Sequence, residues 1–145
     1  MRVGYTIFPR SGYILETLRG IVTFDDLSGF AARQQFDARI TPHYDTVSDF
    51  SRATIRLTER EVRLFADIIC TLPSGRVGKR ALVVVGARNL AFASLLQSFI
   101  VQSGLEAQCF CDRDAAFRWL LDQRVERTNV DMRYLNTDAL EAAAS

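Results

Sequence analysis

The 145-residue chain contains one histidine and three cysteines, so little catalytic or metal chemistry is open to it. His43 sits in a loop beside Pro42, with no Asp, Glu or Cys at a spacing that would share a metal, and reads as a surface loop residue. Cys109 and Cys111 lie two apart, so a strand would turn both to one face. Zinc needs a fourth ligand that the local sequence does not offer, and with Cys70 these residues read as buried free thiols acting as small hydrophobes. The GxSxG, GxxxxGK[ST], GxGxxG and HExxH patterns, which would place a nucleophile, a phosphate cradle, a dinucleotide or a zinc ion, are absent. Asp25 and Asp26 are adjacent in the first turn of a predicted helix, where exposed amides and the helix dipole favour negative charge. No nucleophile can be matched with a base. The reading is therefore a non-enzymatic chain with no cofactor and no metal.

What remains is binding, and that depends on where elements begin and end. Tyr5 and Ile7 at period two, the turn residues Pro9, Ser11 and Gly12, and the run from Tyr13 to Leu18 predict a β-hairpin. Thr23 with Asp26 forms a capping-box pattern, and Phe24, Leu27, Phe30 and Ala31 follow at helical spacing, so a first helix is expected from about Phe24 to Gln35. A strand is expected from Tyr44 to Phe50. Thr58 with Glu61 repeats the capping box ahead of Val62, Phe65, Ala66 and Ile69, a second helix that Pro73, Ser74 and Gly75 must end. Ala81 to Val85 reads as a central strand covered on both faces, closed by Gly86. Asn89 is expected to cap a third helix carrying Phe92, Leu95, Leu96 and Phe99. A strand over Ala107 to Cys111 and a helix capped by Asp112 or Asp114 complete the order. Strands alternating with helices imply right-handed crossovers. The expected fold is α/β, a mostly parallel or mixed five-stranded sheet with an antiparallel N-terminal hairpin and about four helices.

In such a sheet ligands collect beyond the carboxyl ends of the strands, here Asp49 to Ser51, Gly86 to Asn89, and Cys111 to Asp112. Helix starts at Thr58 and Asn89 would offer free amides there, with Arg52 and Arg88 alongside. Ser51, Arg52, Arg88 and Asn89 thus form a candidate edge for a small anion, and the helix starts at Thr58 and Asn89 read equally as ordinary caps.

The composition fits one domain, expected over residues 1–124, with 125–145 a polar tail or docking arm. Eighteen basic and 17 acidic side chains give a formal net charge of +1, and no global field calls for nucleic acid or a membrane. Between Arg52 and Arg88 eight basic residues outnumber three acidic ones; without a nucleic-acid motif they read as a solvated surface. The chain lacks an apolar run near 18 residues and a charged-then-apolar leader, so a cytoplasmic protein with no membrane span is expected. An edge strand and a spare arm leave a homodimer open.

The stretch Asp49, Phe50, Ser51, Arg52, Ala53, four further residues and Thr58 resembles the strand-to-helix region of the anti-sigma-factor antagonist, or STAS, domain. The usual pattern there is Asp-Leu-Ser, a small apolar residue, and an Asp-Ser pair opening a helix. Gln35, Phe36, Asp37, Pro42, Tyr44 and Asp45 are similar to the segment ahead of that strand in STAS-like bacterial proteins of unknown function. The resemblance covers about residues 3 to 123. It implies a small, non-catalytic regulatory domain that binds a partner protein. In some members it is switched by phosphorylation of the hydroxyl at the start of the helix after the third strand, where Thr58 stands. Leu57 replaces the usual Asp, and Glu59, Arg60 and Glu61 replace the usual Ser-Gly-Leu, so Thr58 reads both as a phosphoacceptor and as a plain N-cap. Relatives that bind lipids imply a second reading, an apolar ligand held between sheet and helices. The ten Phe, four Tyr and one Trp would line such a pocket or fill a dry core.

Overall fold

The computed structural model of the protein describes residues 2–72 and 78–122. Eight elements run in the order β1 (Val3–Phe8), β2 (Tyr13–Thr23), α1 (Phe24–Gln35), β3 (Asp45–Arg56), α2 (Glu59–Thr71), β4 (Arg80–Val83), α3 (Ala87–Gln102) and β5 (Ala107–Phe110). A ninth, α4, covers residues 113–122. The tail expected at 125–145 lies outside the described residues.

The five strands form one sheet in the order β1-β2-β3-β4-β5. β1 pairs antiparallel with β2, and every other pair is parallel. Each parallel step uses one helix, and because all three crossovers advance in the same direction, α1, α2 and α3 lie on one face of the sheet. There Leu18, Val22, Phe50, Ile55 and Leu82 pack with Leu27, Phe30, Val62, Phe65, Phe92 and Leu96. Among the described residues the opposite face is covered by α4, where Ala116 and Leu120 meet Val47, Ala81 and Val83. The domain is therefore a three-layer α/β/α sandwich with a thick side and a thin one.

Capping sets where the helices start. In α1 the Thr23 N–H donates to Asp26 Oδ2 at 2.9 Å. In α2 the Thr58 N–H donates to Glu61 Oε1 at 2.9 Å while the Glu61 N–H donates to Thr58 Oγ1 at 3.2 Å, the reciprocal box expected from the spacing. At α4 the Ala115 N–H donates to Asp112 Oδ1 at 2.8 Å.

Of the boundaries that differ from expectation, three shape the strand ends. β3 continues from Phe50 to Arg56, because the register shifts at its middle: Thr17 pairs with Asp49 but Arg19 with Arg52, so Phe50 and Ser51 together oppose Leu18. This bulge reverses the alternation, and Ala53 and Ile55 return to the core face. β4 stops at Val83, since β5 ends opposite it at Phe110, and Val85 is exposed. α3 begins at Ala87 with Gly86 as its N-cap, whose φ of 89° lets the chain turn straight out of the strand. Asn89 is therefore inside the helix and is not its cap.

Candidate functional site

The residues expected at the strand ends are divided by the sheet. Ser51 and Arg52 lie on the α4 face, in a cleft of about 460 Å³ lined also by Thr17, Arg19, Asp49, Cys111 and Arg113. Arg88 lies on the other side, in a groove of about 660 Å³ between α2 and α3 that also contains Arg56, Thr58, Ala91, Phe92 and Leu95. Asn89 belongs to neither. It is buried, its Nδ2 donates to the Ala53 carbonyl at 2.7 Å and the Phe50 carbonyl at 3.4 Å, and its Oδ1 accepts from the Ile55 N–H at 3.4 Å. β4 pairs with β3 only over Thr46 to Asp49, so the edge of β3 beyond that point has no neighbouring strand. Asn89 satisfies the backbone groups a strand would otherwise take, and this structural duty removes it from the candidate anion edge.

The cleft is built by the bulge. Without the extra residue, period two would aim Arg52 at the core; with it, Arg52 stands beside its register partner Arg19 on the α4 side. Asp49 closes the floor: its Oδ1 accepts from the Ser51 N–H at 2.9 Å, and its Oδ2 accepts from Arg113 Nε. Burial alone would raise the Asp49 pKa, but the Ser51 hydroxyl and N–H and the Arg113 guanidinium outweigh it and hold the carboxyl below its ordinary value.

In the groove, Thr58 is exposed on the rim. Phe92, Leu95 and Val62 form an apolar floor, and Arg56, Arg88, Glu59 and Glu61 surround it.

A third cluster escaped spacing arguments. Glu16 is 3% exposed and Arg80 5%, on adjacent parts of the α1-to-α3 face. Arg80 Nη1 lies 2.6 Å from Glu16 Oε1 and 2.8 Å from Ser48 Oγ. Ser48 Oγ also donates to Glu16 Oε1, and Gln34 Nε2 donates to Glu16 Oε2. Lys79 is also buried, its ammonium 2.8 Å from Glu106 and 5.8 Å from the centre of the Trp119 ring. The expectation that the basic residues of this region are all solvated is thus corrected at Lys79 and Arg80.

The cysteines depart from expectation too. Cys111 is exposed, Cys70 and Cys109 are half-buried, and burial pushes the Cys109 thiol up. His43 is exposed. Among the described residues, no group of three or more His, Cys, Asp and Glu side chains could hold a metal ion, and no helix is long and apolar enough to cross a membrane. Several aromatic side chains pack on one another, Phe50 against Phe92 at 5.3 Å and Tyr5 against Phe30 at 5.6 Å, both edge to face.

Among solved structures, the chain is similar to an uncharacterized protein from the DUF3478 family with a SpoIIAA-like fold, from Shewanella loihica PV-4. The two align with a TM-score of 0.54 at 15% identity, over 81% of this chain and 91% of that one. The chain has a SpoIIAA-like, STAS-like fold. No protein-family model and no curated protein matches the sequence. In this SpoIIAA-like frame α2 is the helix that follows the third strand, and Thr58 is its N-cap.

Proposed function

We propose that this chain is a non-catalytic regulatory module of a bacterial cytoplasm, which binds a partner protein through the α2/α3 groove and carries its phosphoacceptor at Thr58. The observation that supports this reading is the position of Thr58: an exposed hydroxyl on the rim of an apolar-floored groove, at a helix start, with Arg56 and Arg88 on the same rim. An apolar floor inside a charged rim suits a protein segment better than a small polar substrate.

A phosphate on Thr58 would add about 1.5 to 2 negative charges at the α2 N-terminus. Arg56 and Arg88 favour that charge. Glu61 opposes it, because its carboxylate accepts the Thr58 N–H and would face the phosphate directly. Modification therefore displaces Glu61 and reshapes the rim, which is how a single hydroxyl would change the affinity of the groove.

The test has two parts. The full chain is incubated with a serine/threonine kinase extract and the product mapped by mass spectrometry; label at Thr58, lost in Thr58→Ala, is expected, and label elsewhere or nowhere refutes the phosphoacceptor. A defined partner captured by the wild type should be lost with Ala91→Glu, which places a charge in the groove. Equal capture by Ala91→Glu refutes the groove as the docking face.

A further inference from the structure

Two arginines stand side by side in the α4-face cleft, neither of them in an ion pair among the described residues. Arg19 and Arg52 are register partners on β2 and β3, strands that run about 5 Å apart. Neither side chain has a hydrogen bond or an ion pair among the described residues. Adjacent like charges on one sheet face destabilise the sheet, and proteins ordinarily separate or neutralise them. The two carboxylates that line the cleft are both engaged by other groups. Asp49 is held by Ser51 and Arg113, and Asp112 Oδ1 accepts the Ala115 N–H.

The third arginine is both paired and oriented. Arg113 meets Asp49 through Nε, and its two terminal nitrogens have no protein partner among the described residues. The half-exposed guanidinium thus presents its outer donors while its inner edge is fixed to a buried carboxylate. The hydroxyls of Thr17 and Ser51 line the same cleft. The bulge places Ser51 and Arg52 there, and bulges concentrate beside sites where a side chain must be re-aimed.

We propose that this cleft binds a small phosphate monoester, whose phosphoryl group sits between Arg19 and Arg52 within reach of Arg113, with the organic part in the remaining volume. A dianion cancels the repulsion between the paired guanidinium groups, and their planar forks match phosphoryl oxygens two at a time. The site is on the opposite face of the sheet from Thr58 and does not depend on the interaction reading.

The test is calorimetric titration of the full chain, at ionic strength fixed with sodium chloride, using inorganic phosphate, glycerol 3-phosphate and adenosine monophosphate. At least one ester is expected to bind more tightly than inorganic phosphate, and Arg19→Gln and Arg52→Gln are each expected to weaken it by about tenfold to a hundredfold. Arg60→Gln, at an exposed position of α2 outside the cleft, should bind like the wild type. Because Arg19 and Arg52 pair with none of the described residues, the ligand-free glutamine variants should melt at or above the wild-type temperature. The proposal is overturned if no probe binds, if inorganic phosphate binds as tightly as both esters, or if Arg52→Gln keeps wild-type affinity. A ligand-free Arg52→Gln protein melting well below wild type would also overturn it, since Arg52 would then be structural.

Discussion

Replacing Arg80 with Met isolates the cost of an uncompensated buried charge. In the wild type the Glu16 carboxylate has three neighbours, the Ser48 hydroxyl, the Gln34 amide and the Arg80 guanidinium at 2.6 Å. Methionine fills much of the arginine volume but leaves Glu16 with neutral donors only, beneath α1 and out of reach of water. Breaking a buried pair in this way costs about 3–5 kcal/mol, a large share of the roughly 5–15 kcal/mol that stabilises a domain. For a chain of this size the melting midpoint should fall by roughly 6–20 °C. Urea unfolding at pH 7 measures the loss, with an unchanged slope if the native state stays compact. The decisive comparison is Glu16→Gln added to Arg80→Met. A neutral amide needs no counter-ion and still accepts from Ser48, so the double variant should be more stable than Arg80→Met alone. If Arg80→Met lies within about 0.5 kcal/mol of wild type, or if Glu16→Gln deepens the loss, the pair is not the desolvated unit described and the reasoning fails.

Three other outcomes follow from the same structure. Asn89→Ala strips the unpartnered edge of β3 of one 2.7 Å bond and two 3.4 Å bonds and should cost about 2–4 kcal/mol by urea unfolding; a loss under about 1 kcal/mol would mean that water replaces the amide. Thr58→Ala should cost about 1 kcal/mol and Thr58→Ser almost nothing, since only the hydroxyl closes the capping box; equal losses in the two variants would point to the methyl group instead. The folded pKa of Asp49 is depressed, so its contribution is present above the unfolded value of about 3.9 and is lost as pH falls through the lower folded value. Asp49→Asn should flatten stability against pH on the acid side, and an unchanged acid limb in urea midpoints between about pH 2 and 6 would contradict the assignment.

Much of the architecture was legible because its signals are local. Thr23 with Asp26 and Thr58 with Glu61 announce two helix starts within four residues each, and both boxes close in the fold. The turn at Pro9 to Gly12 and the buried run from Ala81 needed only neighbours in the chain. The end of β3 was hidden for a physical reason. Arg52, Ala53, Thr54, Ile55 and Arg56 alternate as a strand should, but the extra residue at Phe50 and Ser51 puts that alternation out of phase with the preceding one, and a period cannot be followed across a bulge. Asn89 failed as a cap because Gly86 reverses the chain three residues sooner, a choice made by backbone freedom that outweighs side-chain preference.

The site was legible only in fragments, because its contacts join distant positions. Ser51 and Arg52 were drawn from the strand end, yet the feature that gives Arg52 meaning is Arg19 beside it, which no spacing rule connects. Arg113 reaches Asp49 across 64 residues, and Arg80 reaches Glu16 across the same separation. In the linear sequence both arginines are one more positive charge in a charged stretch, and counting charges assigns them to the surface. Burial reverses that assignment for Arg80, because a guanidinium at 5% exposure is tolerable only with an anion against it. The same logic applied to the cleft runs the other way: among the described residues Arg19 and Arg52 have no anion paired with them, and their adjacency is a cost that a bound dianion would remove.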